Sequence, residues 1–313
     1  MSPLRATVVG AGLIGASWTA LFLAGGLEVT VCDPRPDLDA YLDTELAACE
    51  PALRELGFDT AQLTARLRLE PDLALAVAQA DVVQENGPER LPLKQELWQR
   101  IEQYAPADAL LATSTSGIPA TAIAEALRSP ERLVVGHPFN PPHLIPLVEI
   151  VPGALTSAET VERARQFYAS LGKQPQVLRK EVPGFVANRL QSALFREAVH
   201  LVATGVVTEQ ELDSVVTSSI GLRWAVDGPF RSFHLGGGQG GLPDFLAHLG
   251  PQMEAAWPAL GTPSFDDPTL ALLIAQAKEF LAEGSVTELA AERDHRQIAL
   301  MRALDENRPL PRS

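Results

Sequence analysis

The sequence predicts an α/β protein, an N-terminal doubly wound parallel sheet followed by a smaller all-α domain. Three observations predict it. Short apolar runs alternate with helical stretches through the first half of the chain. A glycine-rich turn joins the first such run to the first helix. After Val182-Pro183-Gly184 no strand pattern follows, and apolar residues recur at helical spacing.

The elements follow in order. Ala6–Val9 is a short apolar strand ending at Gly10, and Leu13–Ala24 reads as a helix closed by Gly25-Gly26. Glu28–Cys32 is a second strand, ending at Asp33, and a charged helix runs from about Leu38 to Leu56. Asp81–Gln84, Ala109–Thr113, Leu133–Gly136 and Leu147–Val151 read as further strands. Thr160–Leu171 is helical and stops at Gly172. Beyond the junction, Val186, Leu190, Ala193, Leu194, Ala198 and Leu201 share one helix face. Thr208 and Glu211 have capping-box spacing, and Thr269–Leu281 and Val286–Leu304 are later helices. Gly228–Pro243 is read as one long irregular segment. The expected division is therefore residues 1–183 and residues 184–313.

Composition narrows the function. The chain has 313 residues and a formal net charge of −14. An acidic surface disfavours nucleic acid and anionic membranes as partners, and an anionic substrate would need a local cationic clamp. No apolar stretch reaches the roughly 18 residues of a membrane span. The two cysteines, Cys32 and Cys49, form no metal-ligand set with the six histidines, so no metal is expected. The N-terminus enters a strand without a charged leader, which points to the cytoplasm.

Gly10-Ala11-Gly12-Leu13-Ile14-Gly15 places GxGxxG after a strand and at the start of a helix. Gly10 makes the turn, Gly12 admits a pyrophosphate, and Gly15 lets helix and strand pack closely, the Rossmann-type arrangement. Free amides and the helix dipole favour the phosphates there. Asp33 lies roughly 20 residues on, where a ribose-binding acid belongs, and it argues for NAD over NADP. Arg35 nearby weakens that preference slightly.

A second cluster follows a later strand. His137 stands in Gly136-His137-Pro138-Phe139-Asn140-Pro141-Pro142-His143, a loop stiffened by proline. Glu149 lies inside the apolar run Leu147–Val151. A carboxylate there is costly to bury unpaired, and His137 is a suitable partner. Such a pair is what a general base for a hydroxyl needs. Spacing alone also allows a Glu149 that faces solvent.

These motifs resemble the 3-hydroxyacyl-CoA dehydrogenase superfamily, and the likeness runs nearly the whole length. Gly136–Pro141 resembles its catalytic histidine motif, Leu147-Val148-Glu149 its glutamate motif, and Pro183–Leu190 its junction signature. The resemblance implies His137 as base, Glu149 as its partner, and Asn188 and Ser116 as contacts of the substrate oxygen. It also implies Glu89 and Lys94 near the nicotinamide end of NAD, with Ser114 as a cofactor contact where the family usually has Asn. From the residues alone, Ser116 could instead cap a helix and Lys94 could lie on a solvated face. Gly221-Leu222-Arg223-Trp224 is similar to the L-gulonate and L-carnitine dehydrogenase branch rather than to acyl-CoA enzymes. Arg223 suits a free carboxylate, since guanidinium binds it bidentately. A salt bridge to Asp227 is the alternative. Trp224, with Phe233, could cage a trimethylammonium group. The expected enzyme is thus an NAD-dependent dehydrogenase of a small 3-hydroxy acid, homodimeric through its helical domain. A short-chain acyl-CoA enzyme and a non-catalytic, crystallin-like protein are the alternatives. The sequence does not choose between a sugar acid, carnitine and another short 3-hydroxy acid.

Overall fold

The computed structural model describes residues 3–282 and 284–306. Eight strands form one sheet: β1 (Arg5–Val9), β2 (Glu28–Cys32), β3 (Leu67–Leu69), β4 (Val82–Glu85), β5 (Leu110–Thr113), β6 (Leu133–Pro138), β7 (Leu147–Pro152) and β8 (Gln174–Val177). Their spatial order is β3-β2-β1-β4-β5-β6-β7-β8. All neighbouring pairs are parallel except β6 with β7. The order reverses between β1 and β4, and in such sheets ligands bind in the crevice at the carboxyl ends of the strands there.

Six helices accompany the sheet: α1 (Leu13–Ala24), α2 (Leu38–Glu55), α3 (Leu73–Val77), α4 (Leu91–Tyr104), α5 (Ala120–Ala124) and α6 (Ala158–Ser170). Three apolar clusters result among the described residues, the smallest being Ala120, Val135, Val151 and Phe185. Trp18, Phe22, Leu42, Leu46 and Tyr168 belong to the largest, while Trp98, Ile101, Leu111 and Ile123 belong to the second. α1 is apolar nearly all round and has nine buried residues, which fits a helix enclosed on every side rather than one with a solvated stripe.

The remaining helices are α7 (Ala187–Ala203), α8 (Glu209–Ser218), α9 (Ile220–Val226), α10 (Pro229–Gly236), α11 (Gly241–Ala256), α12 (Asp267–Phe280) and α13 (Val286–Glu306). The chain divides into two compact units. One runs to Asn188 and includes Asp294–Ile298; the other holds Arg189–Arg293 and the residues from Ala299 onward. The architecture is thus a Rossmann-type sheet unit and a helical unit. The capping box forms as expected, with Thr208 Oγ1 accepting from the Glu211 amide and Glu211 accepting from the Thr208 amide.

The stretch Gly228–Pro243 departs from expectation. It is not irregular: Pro229 opens α10, and a tight glycine turn leads into α11. That turn needs its glycines. A Cβ on Gly237 would lie 1.8 Å from the Gly241 carbonyl oxygen, and one on Gly240 would lie 1.7 Å from Asp244 Oδ2. The strands β3 and β8 carry no strand signal in the sequence. β3 has three residues, and β8 is a polar edge strand containing Pro175. Among the described residues no helix is long and apolar enough to cross a membrane, and no cluster of His, Cys, Asp and Glu could hold a metal. Both cysteines are free and buried; burial raises the Cys32 thiol to about 11 and the Cys49 thiol to about 12, so both stay protonated.

Candidate active site

The parallel strands β1, β4, β5 and β6 all deliver their carboxyl ends to one edge of the sheet. Gly10 follows β1 with φ +90°, which a side chain would strain. A Cβ on Gly15 would sit 1.9 Å from the Gly10 carbonyl oxygen, so that glycine is demanded by packing. Gly12 differs, because a Cβ there would meet nothing within 4 Å. The space beside Gly12 is open, and α1 begins without a side-chain cap or an acidic residue in its first turn. Leu13, 59% exposed, and the partly buried Ile14 begin the same helix. Uncapped amides beside an open approach suit a pyrophosphate. Asp33 braces this turn, accepting from the Ala11 amide at 2.7 Å and the Arg35 amide at 2.9 Å. Arg35 lies over the Tyr41 ring at 3.7 Å, stacked on its own domain.

At the end of β4, Glu85 is fully buried, and nothing in the sequence marks it as such. Lys94, in the first turn of α4, is only 2% exposed and donates to both Glu85 oxygens at 2.8 and 3.0 Å. Lys94 therefore does not lie on a solvated face. Thr113 Oγ1 donates to Glu85 Oε2 at 2.6 Å, which ties the end of β5 to the same carboxylate. Glu89 is half-exposed, and its Oε1 accepts from the amides of Ser116 and Gly117 at 3.1 and 3.0 Å. Ser116 is exposed and does not cap α5, whose first residue follows Pro119. The hydroxyl that receives the Ile118 amide belongs to Thr115. Ser114 is held from three sides. Its hydroxyl accepts from Trp18 Nε1 and Gln84 Nε2 and donates to Asn86 Oδ1.

His137 lies in β6 directly opposite Glu149 in the antiparallel ladder. Both are buried, and Nδ1 stands 2.9 Å from Glu149 Oε2. The other carboxylate oxygen accepts from the Val186 and Ala187 amides at 2.9 and 3.1 Å. Burial by itself raises the Glu149 carboxyl, but the hydrogen bond from His137 and those two amides outweigh it and hold the group below its ordinary value. Phe185, at φ +50°, lies against the imidazole with ring centres 5.2 Å apart. Asn188 follows at once, as the second residue of α7. Upstream, Gly136 leaves room for Tyr168, since a Cβ there would be 1.9 Å from its hydroxyl. His143 anchors the intervening loop: its amide donates to Ser17 Oγ in α1 at 2.9 Å, and Cys49 Sγ of α2 lies 3.4 Å from its Nδ1.

Ser116, His137, Glu149 and Asn188 thus belong to one unit, with the glycine turn at the same edge of its sheet. Arg223 and Trp224 belong to the helical unit, on α9, where both are exposed. Asp227 pairs with Arg231 at 2.8 Å, not with Arg223. Phe233 stacks on Phe245 at 4.7 Å.

Comparison with known proteins gives the family. Residues 5–182 match the NAD binding domain of 3-hydroxyacyl-CoA dehydrogenase, and residues 184–262 match its C-terminal domain. The chain is 45% identical to an L-carnitine dehydrogenase of Streptomyces griseus over 99% of its own length and 91% of the relative's. It is 42% identical to an L-carnitine dehydrogenase of Pseudomonas aeruginosa over 96% of this chain and 94% of that one. The crystal structure of an NAD+ dependent dismutase, 5-formyl-3-hydroxy-2-methylpyridine 4-carboxylic acid 5-dehydrogenase, superposes with a TM-score of 0.77 at 31% identity. That alignment covers 98% of this chain and 100% of the other.

Proposed function

The chain belongs to the 3-hydroxyacyl-CoA dehydrogenase family and is an NAD-dependent oxidoreductase of it, and from that premise we propose that it oxidises the 3-hydroxyl of a free L-carnitine-like hydroxy acid to the 3-keto acid. The observation that carries the reading is the buried His137–Glu149 pair, with Asn188 immediately after the two amides that hold Glu149.

His137 Nε2, free of the Glu149 contact, takes the proton of the substrate hydroxyl. Glu149 fixes the ring orientation through Nδ1 and offsets the positive charge that the ring then gains. Ser116 and Asn188 hold the substrate oxygen. When bound, NAD would supply the acceptor for the hydride that leaves the carbinol carbon. Gly10, Gly12, Leu13, Ile14, Gly15 and Asp33 would hold its pyrophosphate and ribose. Glu89 and Ser114 would line its nicotinamide end, with Lys94 behind them.

Residues 1–183 are assigned to the cofactor and residues 184–313 to the substrate carboxylate and to a second copy of the chain. Arg223 is the proposed carboxylate clamp, and Trp224 a candidate partner for an alkylammonium. Large apolar side chains on the helical unit support the dimer, among them Phe195, Trp257 and Phe265, each more than half exposed. The free, buried cysteines and the NAD requirement favour the cytoplasm.

A substrate panel tests the function. NADH formation is followed with L-carnitine, L-gulonate, 3-hydroxybutyrate and a 3-hydroxybutyryl thioester. The proposal expects the highest kcat/KM with L-carnitine. A higher value with the thioester would replace it with an acyl-CoA activity. A higher value with gulonate would move it to a sugar acid.

A further inference from the structure

Outside the His137–Glu149 pair, a polar link joins the β4–α4 turn to the β5–α5 turn. Glu85 and Lys94 are both almost completely buried, and all the capacity of Glu85 is used: Lys94 and the Gly87 amide reach Oε1, while Lys94 and Thr113 reach Oε2. Lys94 also donates to the Gly87 carbonyl at 3.2 Å, and its Nζ lies 3.7 Å from Glu89 Oε2. The opposite oxygen of Glu89 takes the Thr115 hydroxyl and the amides of Ser116 and Gly117. Glu89 thus faces a cation with one oxygen and three donors of the Ser116 turn with the other. A buried ion pair contributes little net stability compared with apolar packing. Its use here is geometric: it fixes the two ends of the turn that presents Glu89.

We propose that Glu89 is a positioning residue for Ser116, set in place by the buried Glu85–Lys94 pair. The proposal rests on the reading of Ser116 as a substrate-oxygen contact. Ser116 is exposed, and its side chain donates no hydrogen bond within the described residues. What restrains it is its backbone, and the restraint passes through Glu89 Oε1. A hydroxyl displaced by a fraction of an ångström from a reacting oxygen loses much of its contribution to kcat. Gln at position 89 would keep a carbonyl oxygen able to accept the two amides. Ala would keep nothing.

The test is a double-mutant cycle on the intact enzyme, with NAD affinity measured separately by quenching of tryptophan fluorescence. Glu89→Ala is expected to lower kcat about tenfold in the wild-type background and less than about twofold in a Ser116→Ala background, because both act through one hydroxyl. Glu89→Gln is expected to recover most of kcat, and any weakening of NAD binding by Glu89→Ala is expected to be the same in both backgrounds, since it does not pass through the Ser116 hydroxyl. Equal losses in both backgrounds overturn the proposal, as does a Gln variant as slow as the Ala variant. An unchanged kcat in Glu89→Ala, with only NAD affinity weakened, also overturns it and assigns the residue to the cofactor alone. If Ser116→Ala alone leaves kcat unchanged, the reading of Ser116 fails, and the proposal fails with it.

Discussion

Two buried carboxylates lie in neighbouring parts of one sheet, and they differ in what sits beside them. Glu85, at the end of β4, holds a lysine that donates to both of its oxygens. Glu149, in β7, holds an imidazole that can gain and lose a proton. Both also draw on backbone amides, from Gly87 in one case and from Val186 and Ala187 in the other. The burial problem is the same at both places, and so is its solution. The difference in partner separates scaffold from chemistry: Lys94 is spent on Glu85 and the Gly87 carbonyl, whereas an imidazole held at Nδ1 keeps a second nitrogen for proton transfer.

The largest expected effect breaks the chemical half. His137→Ala should lower kcat by roughly 10²- to 10⁴-fold, the usual contribution of a general base, while NAD affinity stays near wild type. Steady-state rates and a fluorescence titration decide it. Near-normal turnover would remove His137 from the mechanism.

The scaffold half is broken by Lys94→Met. Removing one partner of a buried pair strands the other charge and typically costs about 3–5 kcal/mol. The urea midpoint should fall accordingly, with a smaller change for Glu85→Gln/Lys94→Met together than for Lys94→Met alone. Equal losses would mean that the two side chains do not depend on each other.

Arg223 sharpens the comparison, because it is a cation with no carboxylate at ion-pair distance among the described residues; Asp227 is taken by Arg231. If the substrate supplies the missing carboxylate, Arg223→Met should raise KM for a free hydroxy acid roughly ten- to a hundredfold, and Arg223→Lys should recover only part of it. Unchanged KM would make the arginine structural.

The smallest effect comes from Lys173, buried like Lys94, whose ammonium donates, among the described residues, only to the Ile145 carbonyl, at 3.0 Å. Burial lowers it from 10.5 to about 7. The folded value lies below the unfolded one, so the burial cost is fully present below about pH 7 and fades as the pH rises toward 10.5. Lys173→Met should therefore raise Tm most near neutral or mildly acid pH, with the gain shrinking in alkali. A gain independent of pH would show that charge is not the cause.

The contrast between the two carboxylates also explains what could be read in the sequence. Glu149 stands out because four apolar residues flank it, and a proline-stiffened histidine loop precedes it. The glycine turn stands out because each glycine falls at a fixed place between a strand and a helix. Glu85 does not stand out. It ends the run Val82-Val83-Gln84-Glu85, where an acid looks like the first solvated residue after a strand. Lys94 is hidden in the same way, inside the polar string Lys94-Gln95-Glu96 at the start of a helix. Burial of either is decided by its partner, and pairing across a turn leaves no period in the sequence. The glycines between 228 and 243 mislead in the opposite direction. Their number suggests an open loop, but several are there because atoms of α10 and α11 leave no room for a Cβ.

The facing of His137 and Glu149 across antiparallel strands has a consequence for how such an enzyme can diversify. Side chains alternate faces along a strand, so a slip of one residue would send Glu149 to the far side of the sheet. The ladder, not the segment joining β6 to β7, keeps the two groups together. Insertions or deletions in that segment can therefore reshape the neighbourhood of the reacting carbon while the proton-transfer pair stays in register. New substrates can be accommodated there without reinventing the base.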